Sequence, residues 1–488
     1  MPRARTPLAA IVLAAGKGTR MKSSRAKVLH EVAGRPLAWY PVKRALELGA
    51  ERVVVVVGHQ AEAVEQALRA AFPGAPLRFA LQAEQLGTAH AVRQARPALR
   101  GYAGPVAILS GDTPLLRVET LEAVVRERAR HRAALSVATM TPASPRGYGR
   151  IVRDARGRPA RIVEEKDAGE AERAIGEVNA GLYCVDAGFL WAGLSKVGSR
   201  NAQGEFYLTD LVAMAAASGG AVAVPVPEED AAGVNDRAEL ARAGRVLTAR
   251  IAAALMRSGV TIEDPARFDC DEGVAIGPDT IIEPGVRLRG ATRLGAGVTV
   301  GAGSILVDAA VADGVQLKPY TLIEQAVVAE AAIIGPFARL RPGSEIGEGA
   351  HVGNFVETKK TRLGKGAKAN HLTYLGDAEV GAGTNVGAGT ITCNYDGKLK
   401  HPTRIGAGAF IGSDSILVAP ITIGDGAYVA AGSTLTEAVP AGALALGRAR
   451  QVVKEGWVAR QRAEVQMKGT AARTPAPRKA RPAARRAS

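Results

Sequence analysis

Aliphatic residues recur every six positions through much of the second half of the sequence, and this period restricts the fold more than any other feature. The runs are Ile276, Ile282, Leu288, Leu294, Val300 and Leu306, then Ile334, Leu340, Ile346 and Val352, and finally Ile405, Ile411, Leu417, Ile423, Val429 and Leu435. A period of six fits neither an α-helix nor an isolated hairpin, and it is typical of a parallel β-helix of hexapeptide repeats. Glycine often follows the aliphatic residue and permits the tight bend between short strands.

The period is interrupted twice, at residues 359–370, where its register shifts, and at residues 389–404. The second interruption surrounds Asn394-Tyr395-Asp396-Gly397. Insertions into a solenoid usually form loops on one face, often the face that binds a ligand. We therefore expect the interruptions, rather than the repeats, to carry any activity of the β-helix.

The first 236 residues follow a different pattern, in which strand-like apolar runs alternate with amphipathic stretches. Residues 8–13, 52–57 and 106–109 are predicted as strands, and residues 61–71 as a helix. This rhythm predicts a Rossmann-like α/β domain with a mostly parallel sheet covered by helices. Ligands of such sheets bind beyond the carboxyl ends of the strands, where Gly16 and Asp112 are found.

We predict four segments along the 488 residues. Residues 1–236 form the α/β domain, residues 237–258 form one helix that joins the domains, and residues 259–460 form the β-helix. Residues 461–488 carry eight Lys or Arg against one Glu, have little to bury, and are expected to form a disordered basic tail.

Charge and cysteine usage limit the classes of partner. The formal net charge of +16 suits phosphorylated substrates. A nucleic-acid-binding scaffold that uses the basic tail is an alternative, although it leaves the Gly16 loop, Asp112 and Asn235 unexplained. The three cysteines are far apart in the sequence and predict reduced thiols in a cytoplasmic protein. No apolar run approaches the roughly 20 residues of a membrane helix, so no membrane partner is expected.

The loop after the first predicted strand has the composition of a phosphate-binding turn. It reads Leu13-Ala14-Ala15-Gly16-Lys17-Gly18-Thr19-Arg20-Met21, which matches neither a Walker A sequence nor the Rossmann GxGxxG. Gly16 and Gly18 would let backbone N–H groups approach phosphate oxygens. Arg20 and Lys27 would supply positive charge to the transition state of phosphoryl chemistry. An ordinary strand-to-helix turn is the alternative interpretation.

The motifs of the N-terminal half resemble the sugar-1-phosphate nucleotidyltransferases. Within that group they are similar to the bifunctional N-acetylglucosamine-1-phosphate uridylyltransferases/glucosamine-1-phosphate acetyltransferases, and the similarity runs over about residues 8–457. The matching pieces are the Gly16 loop, Lys27-Val28-Leu29-His30, Gln82-Ala83-Glu84-Gln85-Leu86-Gly87-Thr88, Gly111-Asp112, Gly147-Tyr148-Gly149-Arg150, Glu164, Asn179-Ala180-Gly181 and Gly233-Val234-Asn235.

The resemblance implies specific roles for these residues. Asp112 and Asn235 bind Mg²⁺, while Arg20 and Lys27 act on the phosphates as catalytic residues. The residues that contact UTP or the UDP-sugar are Leu13, Gly16, Lys27, Gln82, Gly87, Thr88, Gly149, Glu164, Asn179 and Asn235. Among them, Gln82, Gly87 and Thr88 read the uracil ring, and Gly149, Glu164 and Asn179 hold the N-acetylated sugar.

Two positions depart from the family pattern. Ala26 stands where the family usually has Pro before the Lys, a change that could loosen the loop. Ser110 precedes Gly111-Asp112 where some members have Tyr, which puts one sugar contact in doubt. A helix N-cap is the alternative for Asp112, and a solvated charge run with Glu165 and Lys166 is the alternative for Glu164.

Polar residues at the breaks in the repeat predict a second site on the β-helix. Arg341 and Lys359 are 18 residues apart, about one coil of three hexads, so they should stack into a two-cation phosphate clamp. His371 lies two hexads further on and could remove a proton from an ammonium group at neutral pH. Glu357 is a nearby carboxylate that could orient this histidine.

The resemblance continues through this region, in Asn385-Val386-Gly387-Ala388-Gly389-Thr390, Cys393-Asn394-Tyr395-Asp396-Gly397, Ile411-Gly412-Ser413-Asp414 and Lys454-Glu455-Gly456-Trp457. It implies that His371 is the catalytic base and that glucosamine 1-phosphate contacts Arg341, Lys359, Tyr374 and Asn385. Acetyl-CoA contacts Ala388, Asn394, Tyr395, Ser413, Ala431 and Arg448, with Asn394 also placed beside the sugar phosphate. A left-handed coil, a homotrimer and acetyl sites shared between neighbouring chains follow from the resemblance alone.

The expected function is two-step synthesis of UDP-N-acetylglucosamine, the precursor for peptidoglycan and lipopolysaccharide. Acetyl-CoA would acetylate glucosamine 1-phosphate, and Mg²⁺-dependent uridylyl transfer from UTP would follow with release of pyrophosphate. The main alternative is a single-activity nucleotidyltransferase whose β-helix only oligomerises or regulates. It predicts no catalytic base on the β-helix, and Arg341, Glu357, Lys359 and His371 together weigh against it.

Overall fold

The computed structural model describes residues 7–218 and 220–471, and two parallel β architectures divide them. The first is a nine-stranded sheet covered by helices. Its strands, with a short hairpin formed by β2 and β3, are β1 Leu8–Ala14, β2 Glu31–Val32, β3 Arg35–Pro36, β4 Ala50–Val57, β5 Leu77–Leu81, β6 Pro105–Ser110, β7 Leu135–Met140, β8 Arg150–Arg153, β9 Pro159–Val163, β10 Val178–Asp186 and β11 Ala221–Pro225.

Helices alternate with these strands as the amphipathic stretches predict. They are α1 Trp39–Glu47, α2 Ala61–Ala71, α3 Thr88–Gln94, α4 Val118–Arg130, α5 Glu170–Arg173, α6 Ala187–Leu194, α7 Asp210–Ala217, α8 Glu228–Ala231 and α9 Arg237–Arg257. Short 3-10 helices occupy Thr19–Met21, Lys27–Leu29, Pro97–Leu99 and Pro265–Arg267.

The order of the sheet brings three loops to one edge. The strand order is β11-β7-β10-β6-β1-β4-β5, with β8 and β9 attached beside β10. Strand β1 pairs in parallel with both β4 and β6, whereas β10 is antiparallel to its neighbours. Ala14 is level with Val57, and Leu13 with Ser110. The loops that begin at Ala15, Gly58 and Gly111 therefore leave the sheet side by side, which confirms the predicted α/β domain.

The second architecture is a stack of coils with three flat faces and the parallel pairing of a left-handed β-helix. The first face contains Thr261–Ile262, Ile281–Ile282, Thr299–Val300, Gln316–Leu317, Ile333–Ile334, His351–Asn354, Lys368–His371, Asn385–Val386, Phe410–Ile411, Tyr428–Val429 and Leu444–Ala445. The second face contains Asp269–Cys270, Arg287–Arg289, Ile305–Val307, Leu322–Glu324, Arg339–Leu340, Glu357–Lys359, Tyr374–Gly376, Ile391–Cys393, Ile416–Val418 and Thr434–Leu435. The third face contains Ala275–Ile276, Arg293–Leu294, Ala310–Val311, Val327–Val328, Glu345–Ile346, Arg362–Leu363, Ala378–Val380, Thr403–Ile405 and Ile421–Ile423.

The repeated aliphatic residues point into the coil and form its core. Leu288, Leu306 and Leu340 are fully buried, and each such side chain stabilises the fold by roughly 1.5–3 kcal/mol. The period is not strictly six throughout, because the step from the second to the third face is sometimes five residues, as from Leu306 to Val311. These shortened corners account for the gaps between the runs of hexads.

The predicted loop at residues 389–404 is present. It leaves the β-helix after Ile391–Cys393 on the second face and returns at Thr403–Ile405 on the third. Tyr395 and Lys400 bridge across it, and Asp396 contacts Nε2 of His401 at 2.7 Å. The loop therefore protrudes from the corner at which other coils shorten by one residue.

Helix α9 contacts both architectures. Ala243 and Leu247 are buried in the core beneath the nine-stranded sheet, whereas Ala252 is buried in the core of the β-helix. Arg250 donates to the carbonyl of Leu115 at 2.6 Å and to buried Asp230 at 3.1 Å. The helix therefore completes the α/β domain as well as joining it to the β-helix.

The last described element is an exposed helix, α10, at Trp457–Ala471. Residues 461–471 were expected to begin a disordered tail, and for these residues the expectation is wrong. Ala, Gln, Glu, Arg and Met have high helix propensity, so this stretch forms a helix although its described side chains are exposed. The remainder of the predicted tail, residues 472–488, lies outside the described residues.

All three cysteines are free, as their separation predicts. Burial raises the pKa of Cys184 and of Cys270 to about 12, so both thiols are protonated at neutral pH. In residues 7–218 and 220–471, none of the helices is both long and apolar enough to span a membrane.

The packing of α9 predicts where the N-terminal half can be cut. A fragment of residues 1–236 lacks Ala243, Leu247 and Arg250, whereas a fragment of residues 1–258 retains them. The shorter fragment should unfold at a temperature lower by at least about 5 °C, because it loses core packing and a partner of buried Asp230. Thermal unfolding followed by circular dichroism measures the difference, and equal midpoints would show that α9 is only a linker.

Candidate active sites

The loop after β1 is open where a phosphate would lie. A Cβ atom built on Gly16 would meet no other atom of the described residues within 4 Å, so no described neighbour accounts for the absence of a side chain there. Gly18 has a φ of +62°, and a Cβ atom there would lie 2.4 Å from Cβ of Lys27. Gly18 therefore lets the Lys27 stem cross the loop, and Gly16 leaves the backbone accessible to a ligand.

Four predicted residues of the phosphate site converge beside this loop. The Lys27 ammonium group contacts Oδ2 of Asp112 and lies 3.2 Å from Oδ1 of Asn235. Arg20 donates from Nη2 to the same Asn235 oxygen at 2.9 Å. The N–H of Val234 bonds to the carbonyl of Asp112 at 2.8 Å, which ties together the two segments that carry Asp112 and Asn235.

Helix α9 fixes Asn235 from behind. The Asn235 backbone N–H donates to Oε2 of Glu239 at 2.7 Å, and the N–H of Glu239 donates to Asp236 at 2.8 Å. These bonds form the N-terminal cap of α9. The capping interaction explains why α9 begins directly after the predicted site and not further along the chain.

Asp112 and Asn235 provide oxygen donors of the kind that Mg²⁺ prefers. Among the residues that the structure describes, no group of three or more His, Cys, Asp and Glu side chains could hold a metal ion. Two oxygen donors are a set of the kind that holds Mg²⁺ together with waters and substrate phosphates.

The residues predicted to read uracil lie together at the start of α3. Buried Gln82 donates from Nε2 to the carbonyl of Gly87 at 3.2 Å, and Thr88 Oγ1 accepts from the N–H of Leu208 at 3.0 Å. A Cβ atom on Gly87 would lie 2.5 Å from the carbonyl oxygen of Phe206, so this close approach requires glycine.

The residues predicted to hold the sugar form a neighbouring group. The N–H of Asn179 bonds to the carbonyl of Gly149 at 2.8 Å, and a Cβ atom on Gly149 would lie 3.3 Å from Oε2 of Glu164. Glu164 accepts a hydrogen bond from Thr209 at 3.0 Å and borders a cavity of about 590 Å³. Burial raises the pKa of the Glu164 carboxyl group above its ordinary value, and the Thr209 bond opposes this less strongly.

At Ala26, where the family usually has Pro, contacts that could not be predicted from the sequence hold the backbone. The N–H of Ala26, which a proline would lack, donates to Oε1 of Gln60 at 2.7 Å. Nε2 of Gln60 in turn donates to the carbonyl of Ser24 at 2.8 Å. The loop expected to be loosened is therefore held by a side chain outside the predicted site. At the other departure, the Ser110 carbonyl accepts from Oγ1 of Thr113 at 2.9 Å.

On the β-helix, the partner of His371 differs from the one proposed. Nδ1 of His371 lies 2.8 Å from Oδ1 of Asn354, which occupies the matching position one coil earlier. Glu357 instead accepts from Arg341 at 2.7 Å, so the proposed role of Glu357 in orienting His371 is wrong. The reason is geometric, because His371 ends a strand of the first face and Glu357 begins one on the second.

Arg341 follows one strand of the second face and Lys359 ends the next, in the stacked arrangement that their spacing predicts. A third cation, Lys400, reaches Lys359 from the protruding loop. Its ammonium group lowers the pKa of Lys359, with a smaller contribution from Arg341. Sequence analysis missed Lys400 because the loop has no repeat from which its position could be deduced.

The remaining predicted ligands of the acetyl site lie on two faces. Tyr374 is on the second face with Glu357, and Asn394 donates to Asp377 at the following corner. Asn385, by contrast, is on the first face, paired with Lys368 and Phe410. A single chain therefore does not bring Asn385 to the face that carries Tyr374.

The predicted acetyl-CoA residues follow successive strands of the first face. The Asp414 N–H bonds to the Ala388 carbonyl at 2.7 Å, and the Gly432 N–H bonds to the Ser413 carbonyl at 2.8 Å. A Cβ atom on Gly412 would lie 2.5 Å from the backbone nitrogen of Ala431. Arg448 extends this column, whereas Tyr395 lies apart on the protruding loop, where its hydroxyl bonds to Gly397 at 2.7 Å.

An exposed column of aromatic rings lies at the same corner as His371. The rings of Tyr320, Phe337 and Phe355 stack with centroids 5.2 and 5.5 Å apart and are 58%, 49% and 57% exposed. All three residues have a positive φ, which is unfavourable for bulky side chains. The third face is charged instead, with ion pairs such as Arg362–Glu345 at 3.1 Å.

Fold and sites together define a nucleotidyltransferase domain joined to a hexapeptide-repeat β-helix. Residues 10–175 match the family described as the MobA-like NTP transferase domain, and residues 402–437 match the hexapeptide repeat of succinyl-transferase. Both halves therefore have an independent counterpart among known families.

Comparison with individual proteins narrows this class. The chain is 75% identical over its full 488 residues to the bifunctional protein GlmU of Anaeromyxobacter dehalogenans strain 2CP-C, all of which is covered. It is 54% identical to that of Sorangium cellulosum, with 94% of this chain and 98% of the relative covered. It is 50% identical to that of Pelobacter propionicus, with 92% of this chain and 98% of the relative covered. The chain belongs to the bifunctional GlmU family, which confirms the resemblance in its motifs.

The environment of Glu164 predicts how sugar binding depends on pH. Because its pKa is raised by burial, the carboxylate is ionised above that pKa and becomes protonated as the pH falls through it. If the carboxylate accepts hydrogen bonds from the sugar, kcat/KM for N-acetylglucosamine 1-phosphate should decline at a pH above the ordinary pKa of glutamate. Glu164→Gln should lower the plateau and remove this ionisation. If kcat/KM of the Glu164→Gln variant fell at low pH as it does in the wild-type enzyme, the assignment of Glu164 to the sugar would be contradicted.

Proposed function

We propose that this chain makes UDP-N-acetylglucosamine from glucosamine 1-phosphate in two steps at two separate sites. Acetyl-CoA acetylates the amine at the β-helix, and UTP then uridylylates the phosphate at the α/β domain with release of pyrophosphate. The observation that carries the proposal is that a chain of this family has two separate clusters of polar and charged side chains. One surrounds Lys27 and Asp112 at the strand ends, and the other surrounds His371 on the β-helix.

For uridylyl transfer, we assign the phosphates of UTP to the open backbone at Gly16. Arg20 and Lys27 neutralise negative charge that develops as the sugar phosphate attacks the α-phosphate. Asp112 and Asn235 would hold Mg²⁺, which when bound supplies further charge neutralisation to the phosphates. The Lys27 ammonium group contacts both of these residues, so its positive charge lies beside the side chains that would hold the cation.

In this proposal, two groups of residues determine which base and which sugar the α/β domain binds. Gln82, Gly87 and Thr88 contact the uracil ring beside the loop that follows β1. Gly149, Glu164 and Asn179, which lie next to one another, contact the sugar. Leu13, near the end of β1, completes the set of residues that we assign to the nucleotide.

For acetyl transfer, the hydrogen bond from His371 determines which ring nitrogen can act. Oδ1 of Asn354 only accepts, so Nδ1 of His371 carries the proton and Nε2 is free. Nε2 removes a proton from the ammonium group of glucosamine 1-phosphate, and the resulting amine attacks the thioester carbonyl of acetyl-CoA. The C–S bond then breaks, the attacking nitrogen loses its second proton to become the amide, and CoA takes up a proton in exchange and leaves as its thiol.

The sugar phosphate is bound by Arg341, Lys359 and Lys400, with Tyr374 beside them. Glu357 holds the Arg341 guanidinium in place at 2.7 Å. Acetyl-CoA lies along the column formed by Ala388, Ser413, Ala431 and Arg448. We place Asn394 and Tyr395 of the protruding loop next to it.

The acetyl site is completed by a second copy of this chain, and we propose a homotrimer. Asn385 lies on a different face from Tyr374, so a neighbouring chain must supply one of them. The aromatic column of Tyr320, Phe337 and Phe355 offers an apolar contact beside His371, whereas the charged third face suits solvent. The product would feed synthesis of peptidoglycan and lipopolysaccharide from the cytoplasm.

Product analysis tests this function. With glucosamine 1-phosphate, acetyl-CoA, UTP and Mg²⁺, mass spectrometry should detect UDP-N-acetylglucosamine. His371→Ala should lower acetyl transfer by at least about 10²-fold, mainly in kcat, because a positioned base contributes about 10²- to 10⁴-fold. Uridylylation of supplied N-acetylglucosamine 1-phosphate should remain normal in that variant. Near wild-type acetylation by His371→Ala would place the base elsewhere and favour a β-helix that only oligomerises.

A further inference from the structure

Gln60 is not one of the predicted site residues, yet its side chain holds the loop that leads to Lys27. Oε1 accepts from the N–H of Ala26 at 2.7 Å, and Nε2 donates to the carbonyl of Ser24 at 2.8 Å. The amide group therefore binds the backbone on both sides of Arg25. One side chain satisfies a donor and an acceptor of a segment that has no regular secondary structure at these residues.

Helix capping does not explain this arrangement. Gln60 is the N-cap residue of α2, where a side chain normally accepts from the N–H groups of the first turn. Its side chain makes no such bond and turns to the loop instead. Gln60 also has a φ of +55° and a ψ of +43°, a left-handed conformation that is unfavourable for residues with a Cβ atom. Glutamine is therefore present at position 60 although its backbone conformation favours glycine.

The loop that Gln60 holds ends at Lys27. Ala26 is the N-cap of the 3-10 helix Lys27–Leu29, so the Ala26 backbone sets where the Lys27 stem begins. That stem crosses Gly18, and its ammonium group reaches Asp112 and Asn235. A displaced Ala26 would move the ammonium group away from the phosphate site.

We propose that Gln60 is a positioning residue for Lys27 in uridylyl transfer. The inference rests on the proposed function of the α/β domain. Gln60 does not touch the reacting groups; it fixes the backbone from which Lys27 extends. The Gln60 clamp replaces the restriction that a proline at position 26 would impose, since Ala26 has a φ of −54°, within the range of proline.

The decisive variant is Gln60→Gly in the full-length enzyme. Glycine removes the clamp but suits the left-handed backbone, so the thermal midpoint should not fall. Uridylyl transfer should lose at least about five-fold in kcat with a smaller change in KM for UTP, because misplacement of a catalytic group costs rate. Acetyl transfer should be unchanged. Gln66→Ala on the exposed face of α2 is the matched control and should leave both activities unchanged.

Two double variants test whether Gln60 acts through Lys27. In a Lys27→Ala background, Gln60→Gly should add no further loss, because the positioned group is absent. Ala26→Pro combined with Gln60→Gly should recover activity, since proline fixes φ and the Ala26 N–H has no partner left to lose.

The possible failures are distinguishable. If Gln60→Gly keeps wild-type kcat, or loses the same factor with Lys27→Ala as without it, Gln60 does not position Lys27 and the inference is overturned. If the wild-type enzyme shows no uridylyl transfer at all, the proposed function fails first, and the inference fails with it.

Discussion

Parallel strand pairing brings together the loops of the phosphate site in one half of the molecule and stacks the residues beside His371 in the other. In the α/β domain, pairing of β1 with β4 and β6 brings the loops at Gly16, Gly58 and Gly111 to one edge. In the β-helix, the same pairing places residues one coil apart directly above each other, as for Asn354 and His371. Loss of register in either sheet would separate the groups that the chemistry requires.

Much of this arrangement could be predicted from the sequence, because it depends on periodicity. The six-residue period gave the β-helix, and the spacing of Arg341 and Lys359 gave their stacking. The charged cluster of Arg20, Lys27, Asp112 and Asn235 came from a resemblance between motifs that are far apart in the chain.

Contacts that depend on face and corner geometry could not be predicted. Glu357 is close to His371 in sequence but belongs to another face, so Asn354 orients the histidine instead. Lys400 reaches the phosphate clamp from a loop with no period. Gln60 compensates for the missing proline at position 26 through contacts that span 34 and 36 residues, and no local pattern encodes them.

The proposed function requires two separate sites that exchange N-acetylglucosamine 1-phosphate as a free intermediate. It is tested most directly by mixing the full-length Asp112→Ala and His371→Ala variants, each of which retains one proposed site, and following products by mass spectrometry. From glucosamine 1-phosphate, acetyl-CoA, UTP and Mg²⁺, Asp112→Ala alone should accumulate N-acetylglucosamine 1-phosphate, His371→Ala alone should give almost no product, and the mixture should form UDP-N-acetylglucosamine. A mixture that forms no more of this product than the separate variants would contradict the account.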